Sequence, residues 1–251
     1  MNWLSRILFA TDFSDCAAQA QEYALFLASA CQARLDFVHA FEFVPGLYPD
    51  EVPTRQLYVD EVRRQIDRQI EELVKAAEER GVSASGRQML GIASEQIIEA
   101  AREQETDLIV VGTHGRTGLE RVLLGSTAER VINGAPCPVL TVRCLQGTEP
   151  SARLSQGKPS VRIHHIAAPV DFSDCSLDAL EYTVQVAKQF TAAVTILHVL
   201  ESPPVGLNFS RTEIARRKKV RAELEARLSD RRSKLKSLSR GAACGRARLR
   251  M

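Results

Sequence analysis

The chain has 251 residues, enough for one large domain or two ordinary ones, with 45% hydrophobic and 25% charged residues, a soluble globular profile. No apolar run approaches the ~18 residues of a membrane span, and no signal peptide precedes the first strand pattern, so a cytoplasmic protein is expected. The net charge of +2 conceals an asymmetry: residues 211–251 hold 15 Lys/Arg against 4 Asp/Glu, leaving residues 1–210 with 18 against 27.

In chain order, residues 4–10 (LSRILFA) read as a buried strand, followed by Thr11-Asp12-Phe13-Ser14 and a helix over residues 15–31. Ser14 is the expected N-cap, and Asp15 sits at the positive helix end. Ala20, Tyr23, Ala24, Leu27 and Ala28 recur at helical spacing and are expected to face a sheet. Residues 33–41 (ARLDFVHAF) form a second strand, parallel to the first because a helix joins them. Residues 42–53 carry three prolines and a glycine and read as a loop. A long helix over residues 54–80 turns Leu57, Val62, Ile66, Ile70, Leu73 and Val74 inward and ends at Gly81. Residues 82–90 make a weaker third strand, interrupted by Ser, Gly, Arg and Gln. Residues 93–104 make a third helix with Ile97, Ile98 and Ala101 as its apolar side.

The most informative stretch is residues 108–143. An apolar run, Leu108-Ile109-Val110-Val111, reads as a strand buried on both faces. It ends in Gly112-Thr113-His114-Gly115, nine residues then precede Gly125-Ser126-Thr127, and a helical pattern and a last strand from Pro138 to Val142 follow. Glycines let backbone N–H groups approach a ligand, and a helix start leaves N–H groups and a positive dipole end for an anion, so G-x2-G-x9-G-S-T suits a phosphate. The same residues also suit a plain turn followed by a helix capped by Ser126. The spacing is neither a Walker A loop nor G-x-G-x-x-G.

The order βαβαβαβαβ predicts a doubly wound parallel five-stranded α/β sheet, Rossmann-like, with ligands outside the carboxyl ends of the strands. Asp12, Ala40 and Gly112 all fall on that edge. His39 reads as a satisfied strand histidine. His114, Arg116 and Arg121 suit a phosphate and a solvated loop equally.

Gly112-x2-Gly115-x9-Gly125-Ser126 resembles the nucleotide signature of the universal stress protein family, in its ATP-binding branch. The resemblance covers residues 3–143 and resumes over 161–201. It implies an adenine-nucleotide α-hydrolase-like fold. It places Ala10 and Thr11 on the adenine, Asp12 on the adenosine portion, Ala40 on the adenine pocket, Val111 along the nucleotide, and Gly112, Gly115, Gly125, Ser126 and Thr127 on ribose and phosphates. Position 10 is often Pro or Val in the family, so Ala10 makes a smaller contact. The implied cofactor is ATP, with or without Mg2+. The implied assembly is a homodimer, or a pairing of domains within the chain, through the last strand.

Residues 146–160 read as a polar linker. Beyond it, Asp171-Phe172-Ser173-Asp174-Cys175 repeats Asp12-Phe13-Ser14-Asp15-Cys16 at an offset of 159, which also maps Glu22-Tyr23 onto Glu181-Tyr182, His39 onto His198 and Glu42 onto Glu201. The chain therefore resembles the tandem form of the family. The expected domains are 1–145 with the nucleotide site, a partial second copy over 161–228, and a basic, disordered tail over 229–251. A truncation or a change of reading frame near residues 228–235 is the expected origin of the shortened copy, which would expose apolar faces and a strand edge.

The leading functional expectation is an ATP-binding stress-response or signalling module without strong catalysis, since no acidic pair is placed to hold Mg2+ and position water. The rivals are an ATP-using enzyme of related adenine-binding architecture and a dimeric interaction protein that binds no nucleotide. The basic tail lacks interleaved aromatics, so specific nucleic-acid recognition is not expected. The six cysteines show neither C-x-x-C nor zinc spacing, and reduced thiols are expected.

Overall fold

The computed structural model describes residues 3–42, 52–113, 124–143, 161–171 and 173–199. It divides into two compact units, Met1–Arg162 and Ile163–Met251.

In the first unit the elements are β1 (Arg6–Ala10), α1 (Asp15–Cys31), β2 (Arg34–Phe41), α2 (Val52–Glu79), β3 (Ala84–Leu90), α3 (Ala93–Glu103), β4 (Leu108–Gly112), α4 (Ser126–Gly134) and β5 (Val139–Val142). The five strands are parallel, in the order β3-β2-β1-β4-β5. Crossovers from β1 to β3 travel toward one edge and those from β3 to β5 toward the other. Crossovers of a single hand therefore put α1 and α2 on one face and α3 and α4 on the opposite one.

Leu8, Ala10, Val38, Ile109 and Val111 project onto the second face and pack with Ile97, Ala100, Ala101, Ala128 and Val131. Phe9 and Phe37 meet edge to face, with ring centroids 5.8 Å apart, and are fully buried. Strands buried on both sides explain the unbroken apolar runs in the sequence.

Helix α1 begins as its sequence predicts, with Ser14 accepting a hydrogen bond from the Ala17 amide. Ala20, Ala24, Leu27 and Ala28 are buried, but Tyr23 is 38% exposed. In α2, Ile66 and Ile70 are buried while Leu57 is 68% exposed. Both departures have one cause: helical periodicity marks a stripe wider than the strip that reaches the sheet, and Leu57 lies in the first turns of a 28-residue helix longer than the strands it covers. Gly81 takes φ +76° and ends α2 as expected.

The polar residues of β3 find partners in an edge strand that is only partly buried. Ser85 Oγ and Arg34 Nε both donate to the buried Asp36 carboxylate. Gly86 lets α2 approach the sheet closely, since a Cβ there would overlap Ile70 Cγ2 and sit 3.2 Å from Val74 Cγ2.

The second unit contributes β6 (His165–Pro169), α5 (Asp174–Phe190) and β7 (Ala193–Leu197), with β6 and β7 parallel. It reproduces backbone hydrogen bonds of the opening of the first unit at the offset of 159. Thr11 N donates to Val38 O as Val170 N donates to Leu197 O, and Arg34 N to Ser5 O as Ala193 N to His164 O. Gln32 and Thr191 both end their helices in the left-handed region, each at φ 52°. The face differs: Leu197 is 48% exposed where its counterpart Val38 is 1%. Among the described residues nothing in the second unit corresponds to α3 and α4, which cover Val38 in the first. The linker, the part of the second copy beyond residue 199 and the tail lie outside the described residues.

These arrangements carry two predictions. Gly86→Ala should cost about 1–3 kcal/mol, because the added methyl would overlap the buried Ile70. A urea midpoint equal to that of the parent protein would contradict that packing. At Asp171, the Ser173 hydroxyl, then the Ser173 amide, then the Ser176 hydroxyl hold the carboxyl down to about 2, below its ordinary 3.8. A carboxyl depressed on folding contributes stability that is present above the ordinary value and is lost as pH falls through the folded one. Ser173→Ala should raise the Asp171 midpoint toward 3.8, followed by carbon-13 NMR, and an unmoved midpoint would remove Ser173 as the cause.

Candidate functional site

The strand order reverses at β1, whose two neighbours β2 and β4 are reached by crossovers on opposite faces. That reversal opens a crevice at the carboxyl edge of the sheet. Five of the expected site residues stand at its rim: Ala10 and Thr11 at the end of β1, Ala40 near the end of β2, and Val111 and Gly112 at the end of β4. Asp12 follows directly in the turn into α1.

The turn over residues 11–14 is held at every residue. Thr11 N bonds Val38 O at 2.9 Å, extending the ladder one residue beyond β1. Thr11 Oγ1 accepts from the Phe13 amide at 3.0 Å. Asp12 Oδ1 accepts from the Ser14 amide at 3.1 Å and from the Ser14 hydroxyl at 2.6 Å. Phe13 takes φ 61°, a left-handed conformation rare for a bulky residue, and its ring lies on that of His39 with centroids 4.5 Å apart. Asp12 thus has a structural task as well as a place at the crevice, and one of its oxygens is committed to the turn. His39 is 5% exposed with Nδ1 2.7 Å from Thr11 O, so the sequence reading of a satisfied histidine holds.

The end of β4 is locked from three sides. Gly112 pairs with Val142, Thr113 N donates to Val142 O, and Gly125 N donates to Thr113 O at 2.7 Å. Gly112 lies against the first turn of α1, where a Cβ would meet Cys16 Sγ at 3.2 Å and its carbonyl at 3.4 Å. A Cβ on Gly125 would approach Thr113 O to 3.0 Å. Both glycines are therefore favoured by the protein's own close packing, which the sequence spacing does not distinguish from close approach to a ligand.

Ser126 does not cap α4. The N-cap is Gly125, which has no side chain to close the helix, and Ser126 and Thr127 are the first two helical residues, both exposed. Of these helix starts, α1 is closed by its Ser14 hydroxyl, whereas α4 opens with no capping side chain at the carboxyl edge of the sheet. An uncapped helix start presents N–H donors and the positive dipole end. Gly115, His114, Arg116 and Arg121 lie outside the described residues.

Among the described residues, no group of three or more His, Cys, Asp or Glu could hold a metal ion, and no helix is long and apolar enough to cross a membrane. Burial raises the thiol of Cys31 and pushes that of Cys137 up to about 11, which disfavours the reactive thiolate.

The sequence profile of the universal stress protein family matches residues 4–143 and 162–245, the second match running past residue 228, where the sequence pattern places the end of the second copy. Universal stress protein MJ0531 of Methanocaldococcus jannaschii is 34% identical over 142 residues, which span 57% of this chain and 84% of that protein. A universal stress protein of Thermus aquaticus is 36% identical over 138 residues, 55% of this chain and 97% of its own length. The solved structure of protein MJ0577 is 25% identical, covering 58% of this chain and 99% of its own, with a TM-score of 0.51. A universal stress protein from Archaeoglobus fulgidus shares the fold across 88% of this chain and 74% of its own, at 19% identity and a TM-score of 0.61. With both matched segments together spanning most of its length, the chain belongs to the universal stress protein family.

Proposed function

We propose that the first unit binds ATP at the carboxyl edge of its sheet and serves as a nucleotide-dependent stress-response or signalling module. The observation that carries this reading is the start of α4: a helix with a glycine N-cap, no capping side chain and two exposed hydroxyl residues opens at the edge where the strand order reverses. Its amides and the Ser126 and Thr127 hydroxyls suit phosphate oxygens. Family membership supplies the expectation of adenosine, with Ala10, Ala40 and Val111 offering small apolar surfaces to the base. Asp12 would accept hydrogen bonds from hydroxyl or amino groups of the adenosine portion. Mg2+ would arrive on the triphosphate, because the described residues supply no cluster of their own.

In this reading the residues on this edge bind and orient, and among the described residues none is placed to activate water. Asp12, the one acid among the proposed contacts, has Oδ1 engaged by Ser14. Hydrolysis should accordingly be slow or depend on a partner. A homodimer or a pairing of units through β5 remains part of the proposal, since β5 is an edge strand of the sheet.

Calorimetric titration of MgATP into the full chain tests the reading with two variants chosen to spare the fold. Ser126→Pro removes one N–H at the first helical position, where proline is well accommodated, and Gly125 before it has a compatible ψ of 151°. Asp12→Asn keeps an acceptor for Ser14 while removing the charge. Each should weaken binding by about tenfold, the worth of a hydrogen bond to a charged group. Parent-like affinity in both variants would place the nucleotide elsewhere. Absence of binding by the parent protein would favour a protein-interaction role, and pyrophosphate release with an acceptor substrate would favour the enzyme.

A further inference from the structure

We infer that His39 is a positioning residue for the nucleotide site, its imidazole fixing the carbonyl of Thr11 and thereby the turn that presents Asp12. The inference rests on the nucleotide reading above and goes beyond it, because His39 is not among the proposed contacts.

His39 Nδ1 lies 2.7 Å from Thr11 O. A carbonyl oxygen can only accept, so Nδ1 carries the hydrogen. The ring is buried, and Phe13, forced into the left-handed region, lies on it. One side chain on β2 thus holds both the residue before Asp12 and the residue after it. The Asp12 carboxylate is then oriented by Ser14, which begins α1. Without the imidazole, Thr11 would keep its amide bond to Val38 but lose the partner of its carbonyl, and Phe13 would lose the surface that compensates its strained backbone.

The second unit supplies an independent instance. His198 Nδ1 lies 2.6 Å from Val170 O, the counterpart of Thr11 at the offset of 159, and Asp171 accepts from Ser173 as Asp12 does from Ser14. The side chain at position 11 has changed to valine and the bond persists. The histidine-to-carbonyl bond therefore belongs to the architecture of the turn and not to a local accident of Thr11. Among the described residues the second unit has no counterpart of α4.

Two amide variants separate positioning from bulk stability. Asparagine places its amide nitrogen near where Nδ1 stands, whereas glutamine carries it out to the position of Nε2. His39→Asn should bind MgATP within about threefold of the parent, and His39→Gln should bind about tenfold more weakly, in line with an unsatisfied buried carbonyl. His198→Gln should leave MgATP affinity unchanged. Nitrogen-15 NMR of the unmodified protein gives a readout that needs no variant: the His39 Nδ1 hydrogen should be present and slow to exchange, and its resonance should move on adding MgATP. Equal affinities for His39→Gln and the parent, or an unprotonated Nδ1, would overturn the inference alone. A parent protein that binds no MgATP would overturn the nucleotide reading and this inference with it.

Discussion

Strand β1 is hydrogen-bonded on both sides, to β2 and to β4, and the geometry of the carboxyl edge follows from that. A central parallel strand needs crossovers of one hand on both faces of the sheet. The chain leaves β1 toward one edge and returns to its other side at β4. The two segments that must depart from this midpoint, the turn into α1 and the loop into α4, therefore emerge side by side. No side chain has to be invoked for the crevice itself; side chains decide only what it will hold.

What they decide is divided between the two segments. The α1 segment is closed: Ser14 caps the helix, Asp12 braces Ser14, and Phe13 and His39 stack. The α4 segment is open, with glycine at its cap and hydroxyls on its first turn. In the proposed site the closed α1 segment is the adenosine side and the open α4 segment the phosphate side.

Much of this was legible in the sequence because single residues carried it. The Asp12–Ser14 segment and its copy at Asp171–Ser173 announced a capped helix twice, and the apolar runs announced strands buried on both faces. The residues read wrongly were those whose fate depends on distant partners. Tyr23 and Leu57 satisfy helical periodicity, yet the sheet is too small to cover them. Of the two readings the spacing left open for Ser126, the cap is excluded by a neighbour: Gly125 takes that place, where a Cβ would approach Thr113 O to 3.0 Å. Gly86 looked like a weak point in β3 and is the contact that lets α2 approach. The carbonyl bond of His39 joins residues 28 apart, and the only signal for it in the sequence was the repetition of His39 as His198.

The central claim, that the carboxyl edge of the first unit is a nucleotide site, is tested most directly by amide chemical-shift mapping of the nitrogen-15-labelled full chain as MgATP is added. The account predicts saturable shifts concentrated at Thr11, Asp12, Ala40, Gly112, Ser126 and Thr127, with residues 165–199 unmoved. Shifts confined to residues 165–199 or to the opposite edge of the sheet, or none at saturating nucleotide, would contradict it.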